Sequence, residues 1–442
     1  MSGLPSRSGA APSRREVLGA LGTAGAVSVA GCGLLGGDEP AASDGADDEA
    51  ITVGVSIPQD GRWRTEGEWL HDGYRLAARH INEGAGAMAA GDGYEPPFEL
   101  SGEGLLGRPL ELEVRDTGST TEGARASARE LAAEGVAVIA GGGSVAEGLG
   151  HQAVAAETET VYMGGFTPTS RVAGEDCSFY GFNELQVPRM AADALGAALA
   201  ERYGANAGLA FAQVHPESAG GRGMAQAVQS RFEARGWSQN VTASTRVGSG
   251  SYGGVLEDVL ETAPDLVVLN YTGLDGASAL RDFREVADSG VDVVVPLMNR
   301  ILLENARAGL EGVLGTVPWT PALSDPFSER FVESWTASET ESEVPSGIAH
   351  LAYVQLSQYA AAVERAGSIE SSAVVPELEG TEYDVGLGRS ELRGCDHQST
   401  RGVPVVRGRP EADQEPGRYA ELVDVVEAGY DCSETPAADC EV

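Results

Sequence analysis

Residues 136–170 read VAVIAGGGSVAEGLGHQAVAAETETVYMGGFTPTS, and this stretch decides the fold. Val136–Ala140 is a short apolar run of the kind a buried parallel strand makes. Gly141, Gly142 and Gly143 break it. Ser144 then stands where a helix N-cap belongs, with Glu147 three residues on, the spacing of a capping box. The predicted helix runs to about Glu157. Thr160–Met163 is the next strand and Gly164-Gly165-Phe166-Thr167 the next turn. The unit is β-α-β, with two glycine-rich loops at the carboxyl ends of neighbouring strands. Ligands bind at that edge of open α/β sheets. Free N–H groups and small hydroxyls there suit a carboxylate or another polar head group.

Outward from this unit the alternation continues. Ile51–Ile57 is a strand, Glu66–Glu83 a helix with Trp69, Gly73, Ala77 and Ile81 on one face. Residues 84–107 are glycine-rich and read as a surface insertion. Leu110–Arg115 is a strand and Thr121–Glu134 a helix. A second α/β unit of similar build follows, without repeating the sequence. Its helices are Val187–Arg202, Gly221–Gly236, Gly253–Thr262 and Ala277–Ser289. Its strands are Ala207–Phe211, Val241–Arg246, Leu266–Leu269 and Val291–Leu297. Gly347–Arg365 is a long amphipathic helix, and 380–430 reads as short strands and turns. The fold class is α/β, with parallel doubly wound sheets.

The chain has 442 residues, a net charge of −37 and no lysine, so all 30 basic residues are arginine. An acidic, lysine-free surface stays hydrated when salt screens charge, which points to a halophile. The same charge argues against nucleic-acid binding, which needs basic patches.

Residues 1–50 are processing and tether. Arg14 and Arg15 form a twin-arginine pattern, followed by an Ala/Gly-rich apolar segment to Ala30, too short to span a bilayer. Val29-Ala30-Gly31-Cys32 matches a lipobox. The expectation is export by the twin-arginine route, cleavage before Cys32 and a lipid on that thiol, leaving the protein at the outer face of the membrane. Residues 33–50 form an acidic flexible tether.

Four cysteines remain: Cys177, Cys395, Cys432 and Cys440. Their even number and the exported setting favour disulfides. Three pairings exist, of which Cys177–Cys395 with Cys432–Cys440 is preferred. No C-x-x-C occurs and the histidines lack ligand spacing, so no metal site is expected. No cofactor is expected either.

Signal, tether and two α/β units with a Gly-Gly-Gly-Ser turn resemble the branched-chain amino-acid binding proteins of ABC importers, with the type I periplasmic-binding fold. The carriers are GVSIPQDG (54–61), ARHINEG (78–84), GRPLELEVRDTGST (107–120), AGGGS (140–144), GGFT (164–167) and CDHQ (395–398). The resemblance implies two Rossmann-like lobes joined by a multi-crossover hinge. Lobe 1 is 51–185 with 318–400, lobe 2 is 186–317 with 401–430, and 431–442 is an acidic tail. It also implies a monomer that captures an amino acid, amide or small organic acid and delivers it to a permease with its ATPase.

The family's ligand-holding serine, carbonyl and threonine match Ser144 (with Gly143 beside it), Gly165 and Thr167. The plainer reading makes Ser144 an N-cap and Thr167 a turn residue. Lobe 2 departs from the pattern. Where the family places an acid, this chain has Met298-Asn299-Arg300. Arg300 would favour a ligand with a second anionic group or one without an ammonium, Arg being a bidentate carboxylate partner; the plainer reading is a surface arginine. Tyr271 and Thr272 lie where another aromatic contact is expected. Trp63 and Glu66 near the first loop are candidate cleft residues, whereas Trp69 fits core packing.

Two other functions were weighed. Gly141–Ala146 fits G-x-G-x-x-A, but a dinucleotide site needs the first strand before it and an acid about 20 residues on, where Met163-Gly164 stand. An enzyme is therefore not expected. A lipid-anchored sensor feeding a membrane signalling partner has the same sequence features as an importer's receptor. Of two glycosylation sequons, Asn240 is the plausible acceptor and Asn270 should be shielded in the cleft.

Overall fold

Strand β1 (Ile51–Ile57) is an inner strand of the first lobe, buried on both faces. A computed structural model describes residues 49–434, apart from Asp92, Asp288, Ser289, Glu339, Glu341 and Ser342. Arg14, Arg15, Cys32, the tether up to residue 48 and Cys440 lie outside the described residues. Helix α1 (Arg64–Glu83) follows β1 and ends at Gly84, whose φ of 59° only glycine adopts without strain. Next come β2 (Leu110–Asp116), α2 (Thr121–Ala133), β3 (Val138–Gly141), α3 (Val145–Thr158), β4 (Tyr162–Gly164) and β5 (Gly181–Asn183). All pair in parallel in the order β2-β1-β3-β4-β5. The order turns back at β1 and β3, so a crevice opens beyond their carboxyl ends.

The second lobe repeats the plan. Its elements are α4 (Pro188–Tyr203), β6 (Ala210–Pro216), α5 (Ala219–Glu233), β7 (Ser238–Thr245), α6 (Gly253–Leu260), β8 (Leu266–Leu269), α7 (Gly273–Val286), β9 (Asp292–Val295), α8 (Arg300–Ala306) and β10 (Leu314–Thr316). The sheet runs β7-β6-β8-β9-β10, then continues through two antiparallel strands supplied from the chain's end. Its turning point is β6 and β8, the counterpart of β1 and β3.

The chain then returns to the first lobe with α9 (Pro326–Thr336), α10 (Gly347–Ala366), α11 (Ser371–Leu378) and a small antiparallel sheet of β11 (Glu382–Tyr383), β12 (Ser390–Leu392) and β13 (Ser399–Thr400). It ends in the second sheet with β14 (Gly402–Gly408) and β15 (Ala420–Glu427). Every residue from 348 to 363 in α10 is buried, so the helix read from the sequence as amphipathic has no exposed face over that span. Its polar groups are matched inward: Tyr359 donates to Ala137 O at 2.8 Å and Tyr74 donates to Gln355 at 3.0 Å. Gly73 lets α1 close on α10, since a Cβ there would lie 2.3 Å from Ala349 O. Gly73→Ala should therefore cost about 1–3 kcal/mol, the range for overpacking, read as a lowered urea midpoint at unchanged m-value.

Three crossovers join the lobes: 184–187, 317–325 and residue 401 alone. Arg401 holds all three together. From the third crossover its guanidinium donates to Pro318 O in the second and to Glu184 in the first, at 3.2 Å from Oε1. Both side chains are 1% exposed. Glu184 also accepts from Gln358 at 3.1 Å and from Tyr383.

Several sequence expectations change. Residues 84–107 are not a surface insertion, because Ala87, Met88, Phe98 and Leu105 are buried in the main core. The segment lacks periodicity because it packs as loop. Strands β5 and β10 are three residues long with a glycine in each, so no apolar run announces them. Helix α8 starts inside what reads as a loop, capped by Asn299. The preferred disulfide pairing is also wrong: Cys395 bonds Cys432, with Cα atoms 6.2 Å apart. The turn after β12 and the end of β15 meet in space although 37 residues separate them. Cys177 is disulfide-bonded as well.

Candidate functional site

The two turning points face each other, and the polar groups between them form the candidate site. On the lobe 1 side, Gly141 and Gly142 have φ of 131° and 92°, which turns the chain sharply from β3 into α3. Gly165 must be glycine, because a Cβ would lie 2.5 Å from Gly142 O. Ser144 caps α3, its Oγ accepting from Glu147 N at 3.3 Å. Thr167 is buried against Gly148 of the same helix, and its Oγ1 makes no hydrogen bond of standard geometry. The Gly165 carbonyl accepts from Thr167 N at 2.8 Å.

Glu147 completes the capping box one residue early. Its Oε2 accepts from Gly143 N at 2.8 Å rather than from the N-cap amide. The expected free donor of Gly143 is thus occupied by the chain's own carboxyl. Glu147 is fully buried, and its Oε1 is left without a partner. Glu66, on the first turn of α1, is 1% exposed, with its Oε2 likewise unpartnered. Burial raises both carboxyls to about 7. The Gly143 amide and the Thr117 and Ser144 hydroxyls pull Glu147 back, and the backbone amide of Glu66 and then Arg62 pull Glu66 back. Glu147 is close enough to lift Glu66 through its charge, and Asp116 lifts Glu147 in the same way.

On the lobe 2 side, Asn299 is the central residue. Its Oδ1 accepts from Leu302 N at 3.1 Å, capping α8, and from Gly273 N at 2.9 Å, fixing the start of α7. Its Nδ2 is thereby aimed outward and donates to Glu66 Oε1 at 3.1 Å, across the cleft. A second bridge joins Arg62 to Asp275 at 2.8 Å. The lobes are closed on each other. Tyr271 packs edge-on to Tyr252 with centroids 5.1 Å apart and bonds Thr245 Oγ1 at 2.8 Å. Thr272 is the N-cap residue of α7 but makes no capping bond with its side chain.

The structure therefore gathers Gly143, Ser144, Gly165 and Thr167 on one wall and Tyr271, Thr272 and Asn299 on the other, with Glu66 bonded across. Arg300 is turned elsewhere. It pairs with Glu304 at 2.5 Å, donates to Val344 O and lies 5.8 Å from the Trp69 ring, beside a groove at the cleft mouth. Glu147 was legible only as a capping residue. Its second role follows from tertiary burial, which local spacing does not carry. Asn270 is buried and bonded to Gln213 at 3.0 Å, whereas Asn240 is exposed. Among the described residues, no cluster of three or more His, Cys, Asp or Glu is placed to hold a metal.

Comparison with known proteins decides the family. Residues 50–414 match the family described as periplasmic binding protein. The chain belongs to that family. Solved structures agree on the fold of this binding protein. An amino acid ABC transporter substrate-binding protein from Pseudomonas fluorescens superposes with a TM-score of 0.78 at 18% identity, over 88% of this chain and 99% of that one. A solute-binding protein from Rhodopseudomonas palustris, in complex with 3,4-dihydroxybenzoic acid, gives 0.72 at 16% identity, over 87% and 99%. A leucine-binding protein from Thermotoga maritima gives 0.68 at 19% identity, over 86% and 99%. No curated protein matches the binding protein in sequence.

Proposed function

We propose that this periplasmic binding protein is the extracytoplasmic, lipid-anchored receptor of an ABC importer. It captures a small polar solute between its lobes and delivers it to a membrane permease. The observation that carries this reading is the bond from Asn299 to Glu66, which closes two opposed sheet edges over buried, incompletely paired polar groups. Hinged closure over a ligand is how such two-lobed proteins work. The twin arginines and Cys32 supply export and the anchor. The lobes divide as 51–185 with 318–400 and 186–317 with 401–430. Ser144, Gly165 and Thr167 line one wall, and Tyr271, Thr272 and Asn299 the other. Arg300 acts at the rim, its charge shared with Glu304. Solutes named for relatives, amino acids and aromatic acids, set the first panel.

The test is thermal melting of the soluble domain in high salt against neutral, acidic and basic amino acids, amines, dicarboxylates and benzoates. A ligand at 100 times its Kd should add about 2.7 kcal/mol, seen as a clear rise in Tm. Asn299→Ala should weaken that ligand at least tenfold, measured as Kd, beyond the ligand-free fall in Tm that losing the α8 cap brings. A protein that shifts with no member of so broad a panel is not a receptor for small polar solutes.

A further inference from the structure

The cleft holds two buried carboxyls, and the nearby cations are committed to other partners. Glu66 Oε1 is bonded by a neutral amide, and Glu66 Oε2 by nothing. Glu147 Oε2 is bonded by a backbone amide, and its Oε1 makes no hydrogen bond of standard geometry, with only the neutral hydroxyls of Thr117 and Ser144 beside the carboxyl. The two belong to one place: Gly143, which holds Glu147, packs against Trp63 and Pro58 at the start of α1, where a Cβ would lie 3.4 Å from Trp63.

The charged and titratable groups around the pair leave the deficit in place. Arg62 before α1 is held by Asp275 of α7 at 2.8 Å. Asp116 at the end of β2 adds negative charge near Glu147 and accepts from the amides of Gln59 and Gly118. Tyr162 of β4 donates to Gly141 O at 2.9 Å. His151, one turn along α3, is held neutral by burial and bonds Ser56 Oγ at 2.7 Å. Arg300 of α8 is turned to Glu304. Buried charge of one sign demands a partner of the other.

We propose that the cleft receives a cationic nitrogen, an ammonium or amidinium group, between Glu66 and Glu147, with Asn299 closing over Glu66 once the cation is in place. This rests on the receptor reading above and narrows it. Both carboxyls come from lobe 1, and the lobe 2 position that the sequence resemblance reserves for an acid contributes a neutral donor. A solute whose polar group is only anionic finds no counter-charge here, since Arg62 is paired with Asp275 and Arg300 with Glu304. Burial holds both carboxyls at about 7, so at neutral pH a cation entering must displace a proton.

The experiment uses the soluble domain in high salt with putrescine, agmatine, L-arginine, L-leucine and benzoate as probes. Calorimetry at pH 7 in two buffers of different ionisation enthalpy measures affinity and proton release. Amine or amidine probes should bind with release of up to about one proton, and benzoate should not bind. Glu66→Gln and Glu147→Gln should each weaken the amine probes at least tenfold and reduce the proton release. Independently of any ligand, infrared spectra near pH 6 should show a protonated-carboxyl band in the wild type that shrinks in each variant. Binding of benzoate alone, unaffected by either variant, would overturn the inference and leave the receptor standing. Absence of the carboxyl band would overturn it whatever binds. No binding by any probe, here or in the wider panel, would remove the receptor reading as well.

Discussion

Arg401→Met should destabilise the protein by about 3–5 kcal/mol, the cost of leaving a buried charge without its partner. Glu184 would then keep only Gln358 and Tyr383 as donors, at a depth where water does not reach it. The loss has a second part, since Pro318 O would also lose its donor. Burial opposes the charge on Arg401 and Glu184 restores it, so the pair stands or falls together. Glu184→Gln in the Arg401→Met background should recover much of the loss, because a neutral side chain costs far less to bury. Urea unfolding of the two singles and the double closes the cycle. A single variant within about 0.5 kcal/mol of wild type, the range of ordinary surface substitutions, would mean that the three crossovers hold without their arginine.

The second large effect is a stabilisation. Without ligand, Glu147→Gln should raise stability at pH 8 by up to about 3 kcal/mol and change little at pH 5. The carboxyl sits at about 7 in the folded protein, against an ordinary 4.5, and each unit is worth about 1.4 kcal/mol. A raised carboxyl favours folding fully below its unfolded value, and that contribution is lost as pH rises through the folded one. At pH 8 the wild type therefore bears a buried carboxylate that the amide does not. Glu66→Gln should behave alike. The comparison must be between variant and wild type, because buried histidines run the other way. Burial lowers His80 to about 4 and His151 to about 3, so their contribution is lost as pH falls below their ordinary range. Equal effects of Glu147→Gln at pH 5 and pH 8 would show that its carboxyl does not titrate between them.

These features differ in how far the sequence announces them. The strands β1, β8 and the unit from β3 to β4 are legible because apolar runs, glycine breaks and an N-cap all agree locally. The N-cap role of Ser144 is local chemistry and survives folding. Glu147 is different: its spacing says capping box, and only tertiary packing, with Gly143 seated against Pro58 and Trp63, turns a surface carboxyl into a buried one. Asn299 reads as a missing acid in a loop. That it caps α8 and reaches Glu66, 233 residues away, depends on closure of the lobes. Arg300 drew attention for its charge, which Glu304, one helical turn on, claims first. The strands β5 and β10 escape because three residues cannot show a period.

The bond from Cys395 to Cys432 has a consequence for how the molecule survives damage. The exposed connection between β14 and β15, residues 409–419, lies inside the ring that this cystine closes. A protease cutting there would not release the last strand, since sulfur still ties it to the turn after β12. The fragment could leave only by breaking all its ladder bonds and then remaining on a short leash, where rejoining is fast. The edge of the second sheet is thus mended by proximity, and a nicked binding protein keeps its shape.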